Sequence, residues 1–505
     1  MFGKRGAIEV STGNRGYREK ITEQKSAVVV GGGLAGVASA LVMAERGVGV
    51  TVIEKLPHIG GRAGAWADRL EDGTPFEMER GFHAFFRQYY NLRRFLKRID
   101  PGLHNLLPLE DYPLLGPQGA SESFSGLPNS VPWNVLELVH RTPRMGFLDM
   151  LRVNKERALQ MFAYDPEKTY TRYDSMTAKE YLDSLGFPPA ARDMLFNVFA
   201  HSFFNPEERF SAADLLMMFH FYFIGNPEGL IFDVLKEPFS IALWHPMRRY
   251  AEERGVRFLT ERKALSVEKR GEEGFRVHME DSHEPVDGNV CILATDVPTL
   301  RKIVMASPEL NAPSSFKDSI DRLDVTLPFA VWRLWTDKPP RARRAPFAGT
   351  TRLGFLDNIS IYERFEGESR RWALETGGSV VELHGYAVPQ EAGEDEIKAD
   401  LKKNLEDVYP EMRGVEVLEE RFILEQDCPS FEPGASASRP GVETPVDGLA
   451  LAGDFVRLPF PSALMERAVA SGFMAANHLM KPCEARPEPI YSVPARGFLS
   501  WMPAI

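Results

Sequence analysis

The chain begins with about 25 mostly polar residues, after which apolar positions follow a regular order. Residues 26–30 (SAVVV) predict a short buried strand, residues 34–46 predict a helix that stops at Gly47, and residues 49–54 predict a second strand. A strand, a helix and a strand in this order indicate one βαβ unit of a parallel sheet.

Further along, apolar positions predict a mixture of helices and strands without internal repeats. We expect helices at 178–184 and 212–220, a strand pair formed by 256–268 and 274–279, and a core strand at 290–294. Residues 325–444 predict strands separated by polar turns, with one helix near 396–408. A parallel-type strand at 449–452 and a helix from about 462 to 480 close the pattern.

This order predicts an α/β nucleotide-binding domain of the Rossmann type, into which an α+β substrate domain is inserted. We expect the nucleotide-binding parts at 26–104, 245–300 and 445–482. The substrate parts are expected at 105–244, mainly helical, and 301–444, mainly sheet. Residues 1–25 and 483–505 are expected to form tails on the surface.

Composition and charge narrow the class of protein. The 505 residues are 44% apolar and 26% charged, which is typical of a globular chain too long for one core. A net charge of −11 argues against nucleic acid as a partner. The three cysteines have no metal-ligand spacing, so we predict no metal site and a reducing compartment, the cytoplasm.

A glycine motif lies between the first predicted strand and helix. Gly31, Gly33 and Gly36 form a GxGxxG pattern, in which the glycines permit a tight turn, close approach to a pyrophosphate and close helix packing. The helix start adds free N–H groups and the positive end of a dipole. Glu54 ends the second strand, where a carboxylate accepts hydrogen bonds from ribose. The sequence therefore predicts a dinucleotide site.

Two further segments favour FAD over NAD. Gly60, Gly61 and Arg62 follow soon after Glu54, and an arginine can pair with phosphate oxygens. Near the C-terminus a buried strand runs into Gly453-Asp454 before the last helix, where an acid suits the ribityl chain. A simple NAD dehydrogenase needs neither segment, so we predict FAD as the cofactor.

These segments resemble those of a known superfamily. The Glu54-x5-Gly60-Gly61-Arg62 spacing and the Ala452-Gly453-Asp454 segment, with the Met465-Glu466-x-Ala468-x-x-Ser471-Gly472 pattern, resemble the FAD-dependent amine oxidase and phytoene desaturase superfamily. Within it, the segments GFHAFFRQYYNLRRF and AGDFVRLPFPSALMERAVASG are most similar to carotene ring desaturases of the isorenieratene synthase type.

The resemblance, which covers most of residues 26–482, implies an amine oxidase-like two-domain flavoprotein with a polyene channel above the flavin. It places Gly81-Phe82-His83 beside the flavin ring. The residues predicted to bind FAD share positions with the superfamily's motifs or adjoin them: Gly31, Gly33, Leu34, Ala35, Glu54, Lys55, Gly61, Arg62, Gly81, Phe82, Gly453, Asp454 and Met465.

An aromatic-rich stretch favours an apolar substrate. Nine Phe or Tyr residues occur in the 28 residues 196–223, and residues 215–227 carry no formal charge. Met and aromatic side chains suit a long, flat hydrocarbon such as a carotene. The same stretch also fits an ordinary core, a channel wall or contact with a membrane surface.

The segment ERGFHAFFRQYYNLRRFL (79–96) supplies the catalytic candidates. His83 is predicted to handle protons, because imidazole ordinarily titrates near neutral pH, although a structural histidine remains an alternative. Arg87 is the second candidate, either to orient His83 or to lie over the flavin, and a solvated helix charge is its alternative. Residues 89–96 predict an amphipathic helix with Arg93 and Arg94 outward.

Together these features predict an oxidoreductase that desaturates a carotene β-ring to an aromatic ring, with a 1,2-methyl shift and peripheral membrane contact. An acyclic carotene or squalene-type desaturase, an amine oxidase, a non-redox isomerase and an isoprenoid carrier remain alternatives.

The uncharged run at 26–44 is long enough to span a bilayer, but its glycines favour the nucleotide loop. The residues do not identify the electron acceptor.

Overall fold

The structure is a computed structural model of the whole chain. It describes residues 7–10, 17–109, 111–117, 121–123, 126, 128, 133, 137, 153–188, 192, 201, 203–228, 230–280, 284–311 and 314–501. Residues 196–200 and 202 of the aromatic-rich stretch lie outside the described residues.

Twenty-two strands are assigned within the described ranges: β1 Ile8–Glu9, β2 Ser26–Val30, β3 Gly49–Ile53, β4 Ala65–Arg69, β5 Pro75–Glu79, β6 Phe85–Phe86, β7 Leu106–Leu109, β8 Pro113–Leu115, β9 Ser121–Ser123, β10 Phe232–Leu235, β11 Val256–Leu259, β12 Ala264–Lys269, β13 Phe275–Met279, β14 Val286–Gly288, β15 Val290–Leu293, β16 Phe329–Thr336, β17 Phe347–Thr350, β18 Asn358–Ile361, β19 Ser379–Gly385, β20 Val417–Glu425, β21 Leu449–Leu451 and β22 Tyr491–Ser492.

The α-helices of the same ranges are α1 Leu34–Glu45, α2 Tyr90–Leu96, α3 Lys155–Gln160, α4 Pro166–Tyr173, α5 Ala178–Ser184, α6 Ala212–Phe219, α7 His245–Glu252, α8 Val297–Met305, α9 Pro308–Asn311, α10 Ser314–Asp321, α11 Gly367–Thr376, α12 Glu394–Val408 and α13 Leu464–Met480. Helix α6 continues into a π-helical turn at His220–Ile224.

A five-stranded parallel sheet forms the centre of the molecule, in the order β11-β3-β2-β15-β21. Its strands come from widely separated parts of the chain, and the three central ones are apolar almost throughout. Parallel strands that are covered on both faces need such side chains. Helices α1 and α13 pack against each other and against this sheet, where Gly472 lies so close to α1 that an added Cβ would be 2.3 Å from the Ala35 carbonyl oxygen.

A seven-stranded sheet forms the second layer, in the order β20-β16-β19-β18-β17-β8-β9. Neighbouring strands are antiparallel except for β8 and β17, which run parallel. Every residue of β16 and β19 is buried, because α12 packs on one face and the rest of the molecule covers the other. Smaller sheets, β6-β10-β7 and β4-β5 among them, lie between the two layers.

Most predicted elements are confirmed within a residue or two, and three expectations are wrong. Residues 256–268 are not one strand of a pair: β11 joins the parallel sheet, whereas β12 pairs with β13. A second helix, α11, interrupts the strands expected between 325 and 444. The C-terminal segment is not a surface tail, because Ile490 and Val493 are buried and β22 pairs with β1.

Helix α2 also differs from its prediction as an amphipathic helix with arginines outward. Arg93 donates two hydrogen bonds of 2.7 Å to the buried Asp233 carboxylate, and Arg94 pairs with Glu488 at 3.1 Å. The buried partners lie on distant segments, so the hydrophobic pattern of α2 alone gave no sign of them.

The described ranges contain no helix that combines the length and the apolar character needed to cross a bilayer.

Candidate active site

One large cavity, of about 400 Å³, lies where the parallel sheet meets the seven-stranded sheet. Strands β2, β3, β15 and β21 are each followed within three residues by residues that line it. The crevice outside the carboxyl ends of parallel strands is the usual ligand site in sheets of this kind. Aromatic side chains of the helical region and the seven-stranded sheet line the rest of the cavity.

The glycine motif forms the floor of this cavity. Gly31 has a φ of 108°, which favours glycine, and an added Cβ at Gly36 would lie 1.9 Å from the Gly31 carbonyl oxygen. Gly33 has an extended backbone, and its added Cβ would meet only the Cα of Gly61, at 3.8 Å. The two chain segments therefore leave a cradle of bare backbone at the start of α1, beside Leu34 and Ala35.

Glu54 holds this cradle in shape. Its carboxylate accepts hydrogen bonds from the Gly32 amide at 2.7 Å and from the Leu56 amide at 2.9 Å. Burial is the largest influence on its pKa and raises it above the ordinary value, against these two hydrogen bonds. A carboxylate so placed at the end of β3 suits the ribose of a dinucleotide.

Next along the cavity, Arg62 and Asp454 form an ion pair with a 2.5 Å contact between Nη2 and Oδ1. The partners come from the turn after Gly61 and from the segment after β21, which are 392 residues apart. Arg62 was predicted to bind a phosphate and Asp454 the ribityl chain, whereas in the structure the two side chains bind each other. Gly453 precedes this acid, and Met465 at the start of α13 lines the same part of the wall.

Lys55 lies at the opposite end of the floor. Its Nζ is 3.2 Å from the Asp296 carboxylate, which also caps helix α8 through the Thr299 amide at 2.8 Å. Asp296 and neighbouring residues Thr295 and Lys263 line the cavity as well. Thr295 and Asp296 were not predicted to bind, because a helix cap after a strand has no distinctive motif. The stretch around Lys263 was considered for adenine contact and left out, because it contains no sharp motif.

The donor set fits FAD. The bare backbone at Gly33 and Gly61 leaves room for a pyrophosphate, and the start of α1, where no side chain caps the helix, offers the positive end of its dipole to it. The long apolar extension beyond Met465 then offers room for a flat ring system. Bound FAD would supply hydride acceptance at this place.

Aromatic rings dominate the far part of the cavity. Phe82 stacks on Phe347 with ring centroids 4.4 Å apart, and Phe232 contacts both rings edge to face. Tyr112 packs against Phe232 and Phe347 at 4.8 Å and 5.8 Å. The described part of the aromatic-rich stretch also contributes, through Phe203, Phe204 and Tyr222. Such a wall suits an apolar substrate.

Gly81, Phe82 and His83 pass between these two parts. Gly81 has a φ of 97° and does not line the cavity, whereas Phe82 and His83 do. The neutral His83 ring donates from Nδ1 to the Gly81 carbonyl oxygen at 2.7 Å. Burial lowers the pKa of His83 to about 4. The prediction that this imidazole titrates near neutral pH is therefore wrong.

Arg87 does not orient His83. Its guanidinium lies 3.7 Å from the buried Asp233 carboxylate, which also binds Arg93, and it is absent from the residues that line the cavity. Strand β6 alternates its side chains, and the chain then turns before α2, so this arginine leaves the cavity side. The structure thus separates the two catalytic candidates.

The sheet wall holds polar residues that sequence analysis missed. His384 and Tyr386 line the cavity, and so do Asp357 and His201, whose Nδ1 contacts an Asp357 carboxylate oxygen at 2.9 Å. Burial acts to lower the pKa of His201, but the hydrogen bond and charge of Asp357 outweigh it and raise the pKa. The alternation of Glu382 and His384 along β19, continued by Tyr386 just after it, was the signal available in the sequence.

Comparison with known proteins agrees with this geometry. Residues 34–480 match the family described as flavin containing amine oxidoreductase. The solved structure of wild-type putrescine oxidase bound to putrescine covers 91% of the chain and 99% of its own, with a TM-score of 0.65 at 18% identity. Cyclohexylamine oxidase from Brevibacterium oxydans covers 92% of the chain and 100% of its own, with a TM-score of 0.66 at 13% identity.

Curated relatives extend over the same length. The carotenoid phi-ring synthase of Streptomyces griseus is 43% identical over 95% of the chain and 92% of its own length. The carotenoid phi-ring synthase of Chlorobaculum tepidum is 29% identical over the same shares. A probable zeta-carotene desaturase of Synechococcus elongatus is 24% identical over 90% of the chain and 98% of its own.

The fold and the glycine cradle define a two-domain flavin-dependent oxidoreductase with an amine oxidase-like architecture, and FAD is its cofactor. The chain belongs to the flavin containing amine oxidoreductase family.

Proposed function

We propose that this enzyme converts the β-ring of a carotene into an aromatic ring, with migration of one geminal methyl group to the neighbouring carbon. The observation that carries the proposal is the aromatic cavity that opens directly from the cofactor cradle, at Phe82 and His83. The phi-ring synthase relatives, matched along 95% of the chain, support the same substrate class.

The aromatic wall fits the chemistry that such a conversion needs. A β-ring has no heteroatom for a base to act on, so oxidation would begin by loss of hydride, the chemistry that bound FAD would supply. The resulting ring cation is stabilised by the faces of Phe82, Phe347 and Phe232, and a cation permits a 1,2-methyl shift. Aromatisation removes two hydrides and two protons per ring.

The FAD contacts are part of the proposal. Gly31, Gly33 and Gly61 would receive the pyrophosphate, and Glu54 would bind the ribose. Beyond them, Leu34, Ala35, Lys55, Arg62, Phe82, Gly453, Asp454 and Met465 line the cavity and would complete the FAD site. Gly81 would act through its backbone shape and not by direct contact.

His83 would accept one of the two protons. Its Nδ1 is engaged with the Gly81 carbonyl oxygen, so the lone pair of a neutral ring is on Nε2. Because its pKa is about 4, the ring is neutral at ordinary pH. A His83→Gln variant should therefore keep its flavin but form aromatic product more slowly, by roughly 10²-fold or more if the ring acts as a base.

The central experiment is expression of the gene in a bacterium that produces β-carotene, followed by pigment absorption and mass spectra. We expect a product that has lost four hydrogens per modified ring and keeps every carbon. The Gly33→Ala variant, which obstructs the cradle and weakens FAD binding, should form less of this product. A labelled methyl group that arrives from an external donor would contradict intramolecular migration.

An acyclic carotene desaturase is the second candidate, favoured by the 24% identity to a probable zeta-carotene desaturase. It would change only the open chain and leave the end rings intact, so the same pigment analysis separates the two. An isomerase or a carrier on this fold would leave the flavin oxidised when substrate is added without oxygen.

Peripheral membrane contact is also proposed, because a carotene is delivered from a bilayer. Flotation with lipid vesicles, with and without β-carotene in the bilayer, tests it. Protein that stays at the bottom of the gradient in both cases would contradict this part of the proposal.

A further inference from the structure

Strand β19 and the residue that follows it bring three polar side chains to one face of the seven-stranded sheet. Glu382, His384 and Tyr386 occupy alternate positions, and alternate residues of an extended chain point to the same side. His384 and Tyr386 line the cavity, while Glu382 lies fully buried behind them. A buried acid, a histidine and a phenol therefore run in sequence from the interior to the cavity.

The acid at the buried end is ionised. Arg333 donates from Nε to Glu382 Oε2 at 2.7 Å, and Tyr362 donates to Oε1 at 2.9 Å. Burial acts to raise the pKa of Glu382, but the charge of Arg333 and the hydrogen bond from His384 outweigh it and hold the pKa at about 2. Glu382 can therefore only accept hydrogen bonds.

This acceptor fixes the proton on the histidine ring. His384 Nε2 lies 2.7 Å from Glu382 Oε1, so Nε2 carries hydrogen and donates to the carboxylate. In the neutral ring Nδ1 is then an acceptor, and the Tyr386 hydroxyl, 2.9 Å away, donates to it. A phenol that donates to a histidine backed by a carboxylate has the order of groups found in proton relays.

The phenol oxygen remains able to receive a proton. It accepts one hydrogen bond, from Asn358 Nδ2 at 2.8 Å, and among the described residues no other donor is directed to it. Tyr386 is half-buried, and its ring packs edge to face on Phe204 at 4.8 Å, another cavity residue. The hydroxyl is thus held in place by two partners at the cavity surface.

The chain of Tyr386, His384 and Glu382, called the relay below, also adjoins the segment that holds His83. An added Cβ at Gly81 would lie 2.7 Å from His384 Cε1, and the Phe82 amide N–H is directed to Nε2 at 3.3 Å. The shorter contact of Nε2, 2.7 Å to the ionised Glu382 carboxylate, assigns the hydrogen to Nε2, so the longer Phe82 contact is a close approach of two donors. The relay and His83 thus reach the same region of the cavity from the sheet side and from the loop side. Two acceptors match the two protons that aromatisation of one ring releases.

We infer that the Tyr386 hydroxyl receives a proton from the substrate ring and passes its own proton to Nδ1 of His384. The inference rests on the proposed function. After hydride loss, a C–H bond next to the cationic carbon breaks, and its electron pair becomes a ring double bond. The proton joins the Tyr386 oxygen while the phenolic proton moves to His384, whose imidazolium is stabilised by the Glu382 carboxylate.

The relay differs from His83 in how it stores the proton. A protonated His83 would be a buried cation bonded to a carbonyl oxygen, and no carboxylate of the described ranges is hydrogen-bonded to it. A protonated His384 would have an ionised carboxylate at 2.7 Å. Of the two acceptors, the relay is therefore better suited to hold a proton until the ring has become aromatic.

The test compares Tyr386→Phe with Tyr181→Phe. Both remove one hydroxyl from a buried or half-buried ring, but Tyr181 bonds only the Arg157 carbonyl oxygen and does not line the cavity. Purified holoenzyme, checked for flavin content and melting temperature, is mixed anaerobically with β-carotene that is unlabelled or deuterated on the ring carbons. Flavin bleaching in this mixture reports loss of the first hydride. Aromatic product requires two hydrides to leave each ring, so a parallel reaction contains a quinone that re-oxidises the flavin, and mass spectra of that reaction report aromatic product and ring rearrangement.

We expect Tyr386→Phe to bleach its flavin but form aromatic product roughly 10²-fold more slowly or worse, with an increased deuterium isotope effect on product formation. His384→Gln should show the same pattern, with Tyr386 still present. Tyr181→Phe should behave as the wild type. Hydrides and protons both leave ring carbons, so the isotope effect on flavin bleaching is measured as the reference. An increase that appears in product formation and not in bleaching identifies a C–H cleavage after the first hydride loss as the slowed step, which a general loss of structure would not produce.

Wild-type product formation in Tyr386→Phe, or an equal slowing of both tyrosine variants with an unchanged isotope effect, would overturn the relay and leave the proposed function intact. A wild-type enzyme whose flavin is not bleached by β-carotene would overturn the proposed function, and the relay with it.

Discussion

The two ends of the cavity are built in different ways. The cofactor end is formed mostly by backbone, at Gly31, Gly33 and Gly61, with one carboxylate that fixes its shape. The substrate end is formed by side chains from several sheets and helices, such as Phe82 and Phe347. Where a cofactor lies directly against bare backbone, an added side chain occupies the space of the cofactor, whereas aromatic side chains in a cavity wall can readjust. We therefore expect substitutions at the two ends to differ in size and in what they abolish.

The largest expected effect is at Gly33. An added Cβ there meets the protein only at 3.8 Å, so Gly33→Ala should fold, but the methyl group occupies space that the cofactor backbone contact needs. We expect FAD affinity to fall by roughly 10- to 100-fold, by analogy with overpacking costs of about 1–3 kcal/mol. Flavin titration of the apoprotein measures it.

Gly393→Ala is the matched control for this change. Gly393 also precedes a helix with an extended backbone and has nothing within 4 Å of its added Cβ. Equal FAD affinities in the two variants would contradict the assignment of Gly33 to the cofactor end.

A smaller effect is expected at Glu54. In Glu54→Gln one of two buried amide hydrogen bonds, to Gly32 or Leu56, loses its acceptor. The cost of such a loss is about 1–3 kcal/mol, shared between fold and cofactor. We expect FAD to bind roughly 3- to 20-fold more weakly, as measured by the same titration. Glu396→Gln, an exposed helix change, should have no effect.

The substrate end should respond more weakly and without loss of flavin. Phe347→Leu keeps an apolar side chain but removes the ring face that stacks on Phe82 at 4.4 Å. Aromatic pairs contribute about 0.5–1.5 kcal/mol, so kcat/KM should fall by roughly 2- to 10-fold with flavin content unchanged. Phe422→Leu, in the core beyond the sheet, is the control. Loss of flavin in Phe347→Leu would contradict the division into two ends.

The smallest effect concerns stability behind the substrate wall. Burial raises the pKa of Glu79 from 4.5 to about 8, although Arg333 acts to lower it. The folded protein therefore keeps a proton that the unfolded chain releases near pH 4.5, and the stability that this proton gives is lost as pH rises to about 8. Glu79→Gln can still accept from the Phe239 amide and cannot ionise.

Melting temperature measured from pH 5 to 8 tests this. The wild type should lose more stability over this range than Glu79→Gln, which should gain a few degrees relative to the wild type at pH 8. Parallel curves for the two proteins would contradict a buried, protonated Glu79.

The same two ends differ in how far they could be predicted. The cofactor end is local: Gly31 to Glu54 is one continuous βαβ unit, and the chemistry of a pyrophosphate requires glycine at fixed spacing. The strand at 26–30 and the helix from 34 were accordingly predicted within a residue of their observed bounds. The ion pair of Arg62 and Asp454 was not, since its partners are 392 residues apart.

The substrate end is not local. His83 and Arg87 are four residues apart, yet one lines the cavity and the other contacts Asp233, because the partner that decides the side lies on β10. Glu382, His384 and Tyr386 show only the ordinary alternation of a strand. Their importance depends on Arg333 from β16, which ionises the acid, and on the cavity that covers the other end.

The sequence by itself determined the dinucleotide loop, the βαβ unit around it and the choice of FAD, because each rests on short motifs whose backbone geometry is local. The tertiary structure alone decided which aromatic rings meet, which arginines are neutralised by buried acids, and which histidine has an ionised carboxylate behind it. Those properties depend on burial and on partners from distant strands, and neither is encoded in the spacing of neighbouring residues.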